Sequence, residues 1–412
     1  MLPVGARAYL KQRFSGRFFF PDLERIATDE WHKARTLHPW MRAIKRDSGV
    51  NLIGYFQTVK GIGEAARSSI TALSAIRIPY SVIDFEYGIP KNQQTISVPD
   101  PKLGFIFNTN LFHINPPQLP YVWWNFDKQE ITGRYGIGVW YWELPEFPKE
   151  WLPAFNLLDE VWVATQFVLD GITAKSALPV VKIPPCIRVQ HDEHLDRSSF
   201  HLPEDRFLFM CAYDVLSVQE RKNPLGAIEA FKQAFRKDDS SVGMVVKVSN
   251  AAANPQEILS LWENIREYSN FYIIDDVFDK VKFNSLLNLV NAFVSLHRSE
   301  GFGLIPAEAM YLGKPVIMTR WSGNVDFMTD DNCCGVEYKL VSIDKNAGPY
   351  QAGQVWADPD ITQAAYFMQK LYSDAEYYGK ISALAKTTIR QLYSPEKIGG
   401  MIKDRLQKIG LM

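Results

Sequence analysis

Glu300 and Glu308, with seven residues between them, flank a turn that can bring backbone amides to a ligand. The stretch reads Ser299-Glu300-Gly301-Phe302-Gly303-Leu304-Ile305-Pro306-Ala307-Glu308-Ala309-Met310. It follows an apolar run at 293–296 and leads into a helical pattern over 306–312. Gly301 and Gly303 allow close approach of the backbone. Pro306 suits the first helical position, where a missing N–H costs nothing, and Gly313 suits the C-terminal cap. The N–H groups of Gly303 and Leu304 then face an anion at the positive end of the helix. This is a phosphate site without a Walker lysine. Carboxylates beside such amides are poor phosphate ligands but good acceptors for sugar hydroxyls. A nucleotide-sugar has phosphates in the middle and hydroxyl-rich rings at either end, and it matches the pattern.

Further residues lie where the same cleft is expected. Gly61-x-Gly63 reads as a tight strand-to-helix turn, or as a loop closing over the donor phosphate. Ala66 takes the place of the third glycine of a dinucleotide fingerprint, and Asp84 supplies an acid about 20 residues on, so a nicotinamide reading stays open here. His113 follows an expected strand and is a sugar or acceptor contact, or else a surface histidine. Trp140, Trp142 and Glu143 combine flat apolar faces with a carboxylate, which suits an acceptor sugar; core packing explains the tryptophans almost as well. His297 and Arg298 sit at a strand end, where Arg298 meets phosphate or forms a structural ion pair. Ser322-Gly323-Asn324 follows another expected strand and faces the sugar or pyrophosphate. Asp358-Pro359-Asp360 has the form of a metal-binding acidic pair but, with a central proline, reads as a turn.

These residues need elements to hold them. Strands are expected at 50–55, 80–84, 103–108, 135–140, 160–164 and 180–185. Helical stretches are expected at 61–73 and 149–158. A polar linker over 188–205 is followed by strands at 207–212, 242–248, 271–274, 292–296 and 315–318, with helices at 224–235, 255–268 and 306–312 and a helical tail over 361–412. Strands alternating with helices imply parallel sheets. Two such halves imply a ligand cleft where they face each other.

Bulk composition sets the outer limits. The chain has 412 residues, 47% hydrophobic and 22% charged, which is globular. A net charge of −1 disfavours a nucleic-acid binder. Cys186, Cys211, Cys333 and Cys334 form no CxxC pair, which argues against a zinc site and for a reducing, cytoplasmic compartment. No apolar run is long enough to span a membrane, and no signal-peptide pattern opens the chain. Residues 1–46 hold ten Lys or Arg against four acids, a net +6, interleaved with aromatics such as Phe18, Trp31 and Trp40. That suits peripheral contact with an anionic membrane; the plainer reading is an extension packed on the domain with its charges solvated.

The block Glu-Gly-Phe-Gly-Leu-x-x-x-Glu-Ala-Met resembles the paired-glutamate motif of retaining glycosyltransferases of family 4, which have the GT-B fold. Gly313-Lys314-Pro315-Val316-Ile317 and Asp214-x-x-Ser217-x-x-x-Arg221-Lys222-Asn223-Pro224 look like that family too. The resemblance covers roughly residues 50–390 and is weaker in the first half. It implies two Rossmann-like α/β domains, at 49–200 for the acceptor and 201–380 for the donor, with 1–48 an extension and 381–412 a tail packing back on the first domain. It implies that Glu308 binds the donor ribose, that Glu300 contacts the transferred sugar, and that the amides of Gly301, Phe302, Gly303 and Leu304 meet its hydroxyls and phosphate. Lys222 matches the lysine that neutralises the diphosphate. Where many relatives carry a second cation this chain has Ala212, so Arg221 or Lys247 is expected to supply it. Gly61 and Gly63, with Ser322, Gly323 and Asn324, complete the expected donor site, and base recognition is expected near Ile274 and Asp275. The resemblance implies no metal and no cofactor beyond the donor itself, and a histidine, here His113, near the reacting sugar. The implied activity is transfer of a hexose, mannose being a family-level guess, to a glycan or lipid-linked glycan in polysaccharide biosynthesis. The competing readings are a non-catalytic nucleotide-sugar-binding subunit and a nicotinamide oxidoreductase.

Overall fold

The apolar runs that sequence periodicity marks as strands assemble into two parallel sheets. The computed structural model describes residues 44–58, 61–85 and 102–412. The basic aromatic segment lies outside the described residues as far as position 43, so the expected membrane contact is not described either. The first sheet contains β1 (Asp47–Gly54), β2 (Tyr80–Asp84), β3 (Lys102–Leu103), β4 (Phe107–His113), β5 (Tyr135–Trp140), β6 (Glu160–Val163) and β7 (Val180–Lys182). Their order is β3-β2-β1-β4-β5-β6-β7. The second contains β8 (Phe207–Asp214), β9 (Val242–Ser249), β10 (Phe271–Ile274), β11 (Ala292–Ser295), β12 (Val316–Thr319) and β13 (Cys334–Val336), in the order β10-β9-β8-β11-β12-β13. Both faces of these sheets are covered, so central strands are buried along most of their length; seven of the eight residues of β9 are buried. The strand order reverses between β1 and β4 and again between β8 and β11. A crevice opens at the carboxyl ends of the strands at each reversal, and the two crevices face one another.

Helices pack on both faces: α1 (Gly61–Ala75), α2 (Pro120–Asn125), α3 (Lys128–Thr132) and α4 (Gln166–Thr173) in the first lobe, then α5 (Gln219–Lys222), α6 (Pro224–Ala234), α7 (Pro255–Ile265), α8 (Lys280–Leu289) and α9 (Leu304–Tyr311) in the second. Of these, α2, α3, α4, α5 and α8 are not expected from sequence. The stretch 149–157 is a 3-10 helix, with Pro153 inside it. No helix among the described residues is long and apolar enough to cross a membrane.

Two strand expectations need correcting. The run expected at 103–108 divides into β3 and β4. Gly104 turns the chain at φ +100, and the buried Asn51 side chain accepts from the amides of Ile106 and Phe107 at 2.9 Å. β4 then continues to His113, because the polar residues Thr109 and Asn110 are buried in the sheet. The acidic pair expected as a turn is instead the end of a strand. β14 (Tyr338–Ser342) and β15 (Val355–Pro359) form an antiparallel hairpin beyond β13. Asp358 pairs with Arg298 at 2.8 Å, and Asp360 caps α10 (Ile361–Ser373) by accepting from Gln363 N.

The chain end crosses between lobes. After α10 and α11 (Ala375–Leu392), α12 (Pro395–Lys408) packs on α1, where Gly399 permits contact so close that a Cβ would sit 2.5 Å from the Ala72 carbonyl. Arg405 of α12 donates twice to the fully buried Glu160 of β6, at 2.8 and 2.5 Å.

Candidate active site

A cavity of about 400 Å³ lies between the lobes. The turn from Glu300 to Pro306 lines it, as does Glu308. Gly303 adopts φ +94 at the N-cap of α9, and no side chain among the described residues caps that terminus. The first turn of α9 therefore opens onto the cavity. The conformation suits glycine, which pays no Cβ penalty there.

Each acid has its own cation. Glu300 accepts from Lys222 Nζ through one carboxylate oxygen and meets Arg221 Nη1 at 3.3 Å through the other. Glu308 pairs with Lys280 at 2.6 Å. Burial pushes both carboxylates upward. At Glu300 the fields of Lys222, Arg221 and His297 outweigh it and bring the pKa down to about 2. At Glu308 the single lysine does not, and Glu64 adds like charge, so its pKa stands above the usual carboxylate value. Sequence patterning gave Lys280 no signal, because α8 itself was not expected.

The cations are held by backbone contacts. Arg221 donates to the Ser299 carbonyl at 2.8 Å, and the amide of Arg298 donates to the Arg221 carbonyl at 2.7 Å. Asn223, at φ +50, ends α5, caps α6 and donates to the Leu296 carbonyl. These bonds fasten α5 to the loop after β11. Arg221 and Ala212 both line the cavity, so Arg221 stands on the wall where a second cation is expected. Lys247 does not: it is buried, donates to the carbonyls of Val248 and Asp276, and lies over Phe278. Its expected phosphate role is corrected for that reason.

Ser322, Gly323 and Asn324 do not line the cavity; they support the turn. Ser322 Oγ accepts from the Glu300 amide at 2.7 Å, and Gly323 N donates to the Glu300 carbonyl at 2.8 Å. A Cβ on Gly323 would lie 2.3 Å from the Gly301 carbonyl oxygen. Asn324 bonds the buried His297 ring at 2.8 Å and donates to the Thr319 carbonyl. Arg298 forms the structural ion pair with Asp358.

The first lobe contributes Gly61, Ile62, Glu64, Asn115, Tyr141 and Glu143 to the cavity wall. Gly61 opens α1 opposite Leu304 of the other lobe, 3.7 Å from where its Cβ would be. Gly63 is turned inward, where a Cβ would strike the Thr58 carbonyl at 2.4 Å, so it is a packing glycine. Asp84 accepts from the Phe56 amide at 2.8 Å, within the β1 turn. Trp140 is stacked on Phe147 in the core, and Trp142 packs edge-on against Trp151 with its indole N–H on the Glu146 carbonyl. Neither reaches the cavity, and only Glu143 of the expected acceptor trio lines it. His113 is also outside: it is 1% exposed at the end of β4, both ring nitrogens lack a hydrogen-bond partner among the described residues, and burial lowers its pKa to about 3. Beyond β10 the lining residues are Val277, Phe278 and Asp279, and the expected Ile274 and Asp275 are not among them.

The loop also ties the lobes together. Ser299 Oγ donates to the Glu143 carbonyl, and Thr165 Oγ1 donates to the Gly301 carbonyl at 3.0 Å.

Two facing Rossmann-like lobes with a cavity between them constitute the GT-B fold, as the resemblance implies. The family model described as glycosyl transferases group 1 matches residues 201–345, within the second lobe. Among solved structures, HepE of Anabaena in complex with UDP-glucose superposes with a TM-score of 0.62 at 12% identity, covering 88% of this chain and 100% of that one. Sucrose-phosphate synthase of Thermosynechococcus elongatus gives 0.61 at 14%, covering 88% and 99%. The pneumococcal O-GlcNAc transferase GtfA, in complex with UDP and GlcNAc, gives 0.50 at 15% over 73% of this chain; the match spans 56% of that longer protein. At these identities the likeness is one of fold. No curated protein sequence matches this chain.

Proposed function

We propose that the protein is a retaining glycosyltransferase that moves a hexose from a nucleotide-diphosphate sugar to a hydroxyl of a glycan or lipid-linked glycan. One observation carries the reading: two acids of one glycine turn, each paired with a cation, face a single interlobe cavity at the uncapped start of a helix. The match of the second lobe to the group 1 model and the UDP-bound neighbours support it.

In this reading the diphosphate draws Lys222 and Arg221 away from Glu300. The freed carboxylate then accepts from hydroxyls of the transferred sugar, and Glu308 accepts from the ribose. The α9 amides and the two cations stabilise charge that develops on the leaving phosphate oxygen. The bond from the anomeric carbon to the diphosphate breaks, a bond to the acceptor oxygen forms on the same face, and the acceptor proton passes to the departing phosphate. No protein base and no metal is required. Glu143, Tyr141 and Asn115 form the acceptor wall. The net +6 over residues 1–46 suits an acceptor held at an anionic membrane surface inside the cell.

A thermal-shift panel of UDP-, GDP-, ADP- and dTDP-sugars tests donor binding, since a ligand of the native state raises the Tm by mass action. One class is expected to raise it. Lys222→Ala and Glu308→Ala are each expected to cut turnover at least about tenfold, equivalent to about 1.4 kcal/mol. A flat panel, or two variants turning over like wild type, refutes the reading.

A further inference from the structure

The β14–β15 hairpin is a site-adjacent element that the glycosyl-transfer reading leaves unused. Its loop, residues 343–354, crosses from the second lobe to the first. Gln351 donates to Glu150 at 3.2 Å, and Gln354 donates to the Glu146 carbonyl at 3.3 Å. The hairpin is fixed at its base as well, where Ala357 N donates to the Arg298 carbonyl. Tyr350, at the crossing, is 4% exposed. Paired backbone bonds with Ala347 hold its main chain.

The Tyr350 side chain touches both walls of the cavity. Its ring packs against Trp142 at 5.6 Å between centroids and against Trp356 at 6.5 Å. The Arg221 guanidinium lies over the same ring at 5.7 Å. Its hydroxyl donates to Glu143 Oε2 at 3.2 Å. A chain of contacts thus runs from Glu143 on the acceptor wall, through Tyr350 and Arg221, to Glu300 on the donor wall.

We propose that Tyr350 is a positioning residue: its hydroxyl fixes the Glu143 carboxylate in the cavity, where that carboxylate orients the attacking acceptor hydroxyl beside the donor. A half-buried glutamate has several rotamers, and a hydrogen bond from a tyrosine locked by packing selects one. The second carboxylate oxygen stays available to an incoming hydroxyl. The proposal rests on the glycosyl-transfer reading and adds to it the group that couples acceptor orientation to the hairpin.

Tyr350→Phe removes the hydroxyl and keeps the ring contacts with Trp142, Trp356 and Arg221, so packing is preserved. The nucleotide sugar selected by the panel above is supplied with para-nitrophenyl hexosides as acceptors, and transfer and hydrolysis are measured together. Water is small and needs no orientation by Glu143, so the ratio of transfer to hydrolysis is expected to fall at least fivefold. Donor affinity by calorimetry is expected to stay within twofold and the Tm within about 2 °C. Glu143→Gln is expected to lower the same ratio, and the double variant is expected to lower it no further than the worse single. An unchanged ratio in Tyr350→Phe, or additive effects in the double variant, overturns the proposal. If wild type neither hydrolyses nor transfers from any donor, the glycosyl-transfer reading fails, and this inference fails with it.

Discussion

The two carboxylates of the turn are driven apart by their neighbours. Glu300 faces two cations, which hold its carboxyl well below the usual carboxylate range, whereas Glu308 faces one cation and one acid and its burial raises its pKa. Such divergence at adjacent acids is a mark of assigned roles. His113 behaves differently, because no charge among the described residues opposes its burial. Its pKa is about 3 in the fold against 6.5 in the open chain, so between those values the unfolded state binds a proton that the native state refuses. The His113 contribution to stability is therefore constant above pH 6.5 and falls as pH drops below it, by about 1.4 kcal/mol per unit. From pH 7 to pH 5, urea midpoints are expected to record a loss of about 2 kcal/mol that His113→Gln lacks. Equal losses in both proteins would show that His113 takes up its proton in the native state.

Among the elements, the loop that ends β11 depends on backbone approaching backbone. Gly323 donates to the Glu300 carbonyl and leaves no room for a Cβ against Gly301. Gly323→Ala must displace the turn that carries Glu300, and is expected to lower turnover more than tenfold together with the Tm. Gly379→Ala is the contrasting case. It lies exposed in α11 with nothing within 4 Å, so the same substitution is expected to add about 0.5–1 kcal/mol of stability by removing helix-interior glycine entropy. Steady-state rates and thermal melts on the pair separate crowding from helix propensity. A fully active Gly323→Ala would remove the case for a tightly built turn.

For the molecule as a whole, the chain end fixes how the lobes face each other. Glu160 has no exposed surface, and Arg405 brings it the compensating charge from α12, with the Trp162 indole at 2.6 Å and the Tyr135 hydroxyl at 3.2 Å completing its bonds. Removing one partner of a buried pair leaves an uncompensated charge, which costs about 3–5 kcal/mol. Arg405→Met is expected to lose that much in urea unfolding, and Glu160→Gln combined with it is expected to recover part of the loss. A loss below about 1 kcal/mol would mean that water reaches Glu160 and that α12 does not latch the lobes.

Local chemistry was enough to mark the turn at 300–308 and most central strands, whereas the cations at 221 and 222 came from the family resemblance. A glycine turn before a helix and an apolar run in a covered strand are properties of neighbours in the chain, and they survive folding unchanged. Residues defined by who packs on whom escaped it. Trp140 and Trp142 have the composition of a sugar platform but fill the core, and Lys247 has the charge of a phosphate ligand but points at carbonyls beside Phe278. Lys280, which lines the cavity, and Tyr350, which packs against Glu143 and Arg221, lie on segments that were not expected as elements. Their place follows from strand order and from a hairpin crossing 200 positions of sequence to reach Glu143. Types and spacing decided which groups could bind an activated sugar; only the closing of two sheets on each other decided which of them share the cavity, because burial and charge pairing are properties of the assembled lobes.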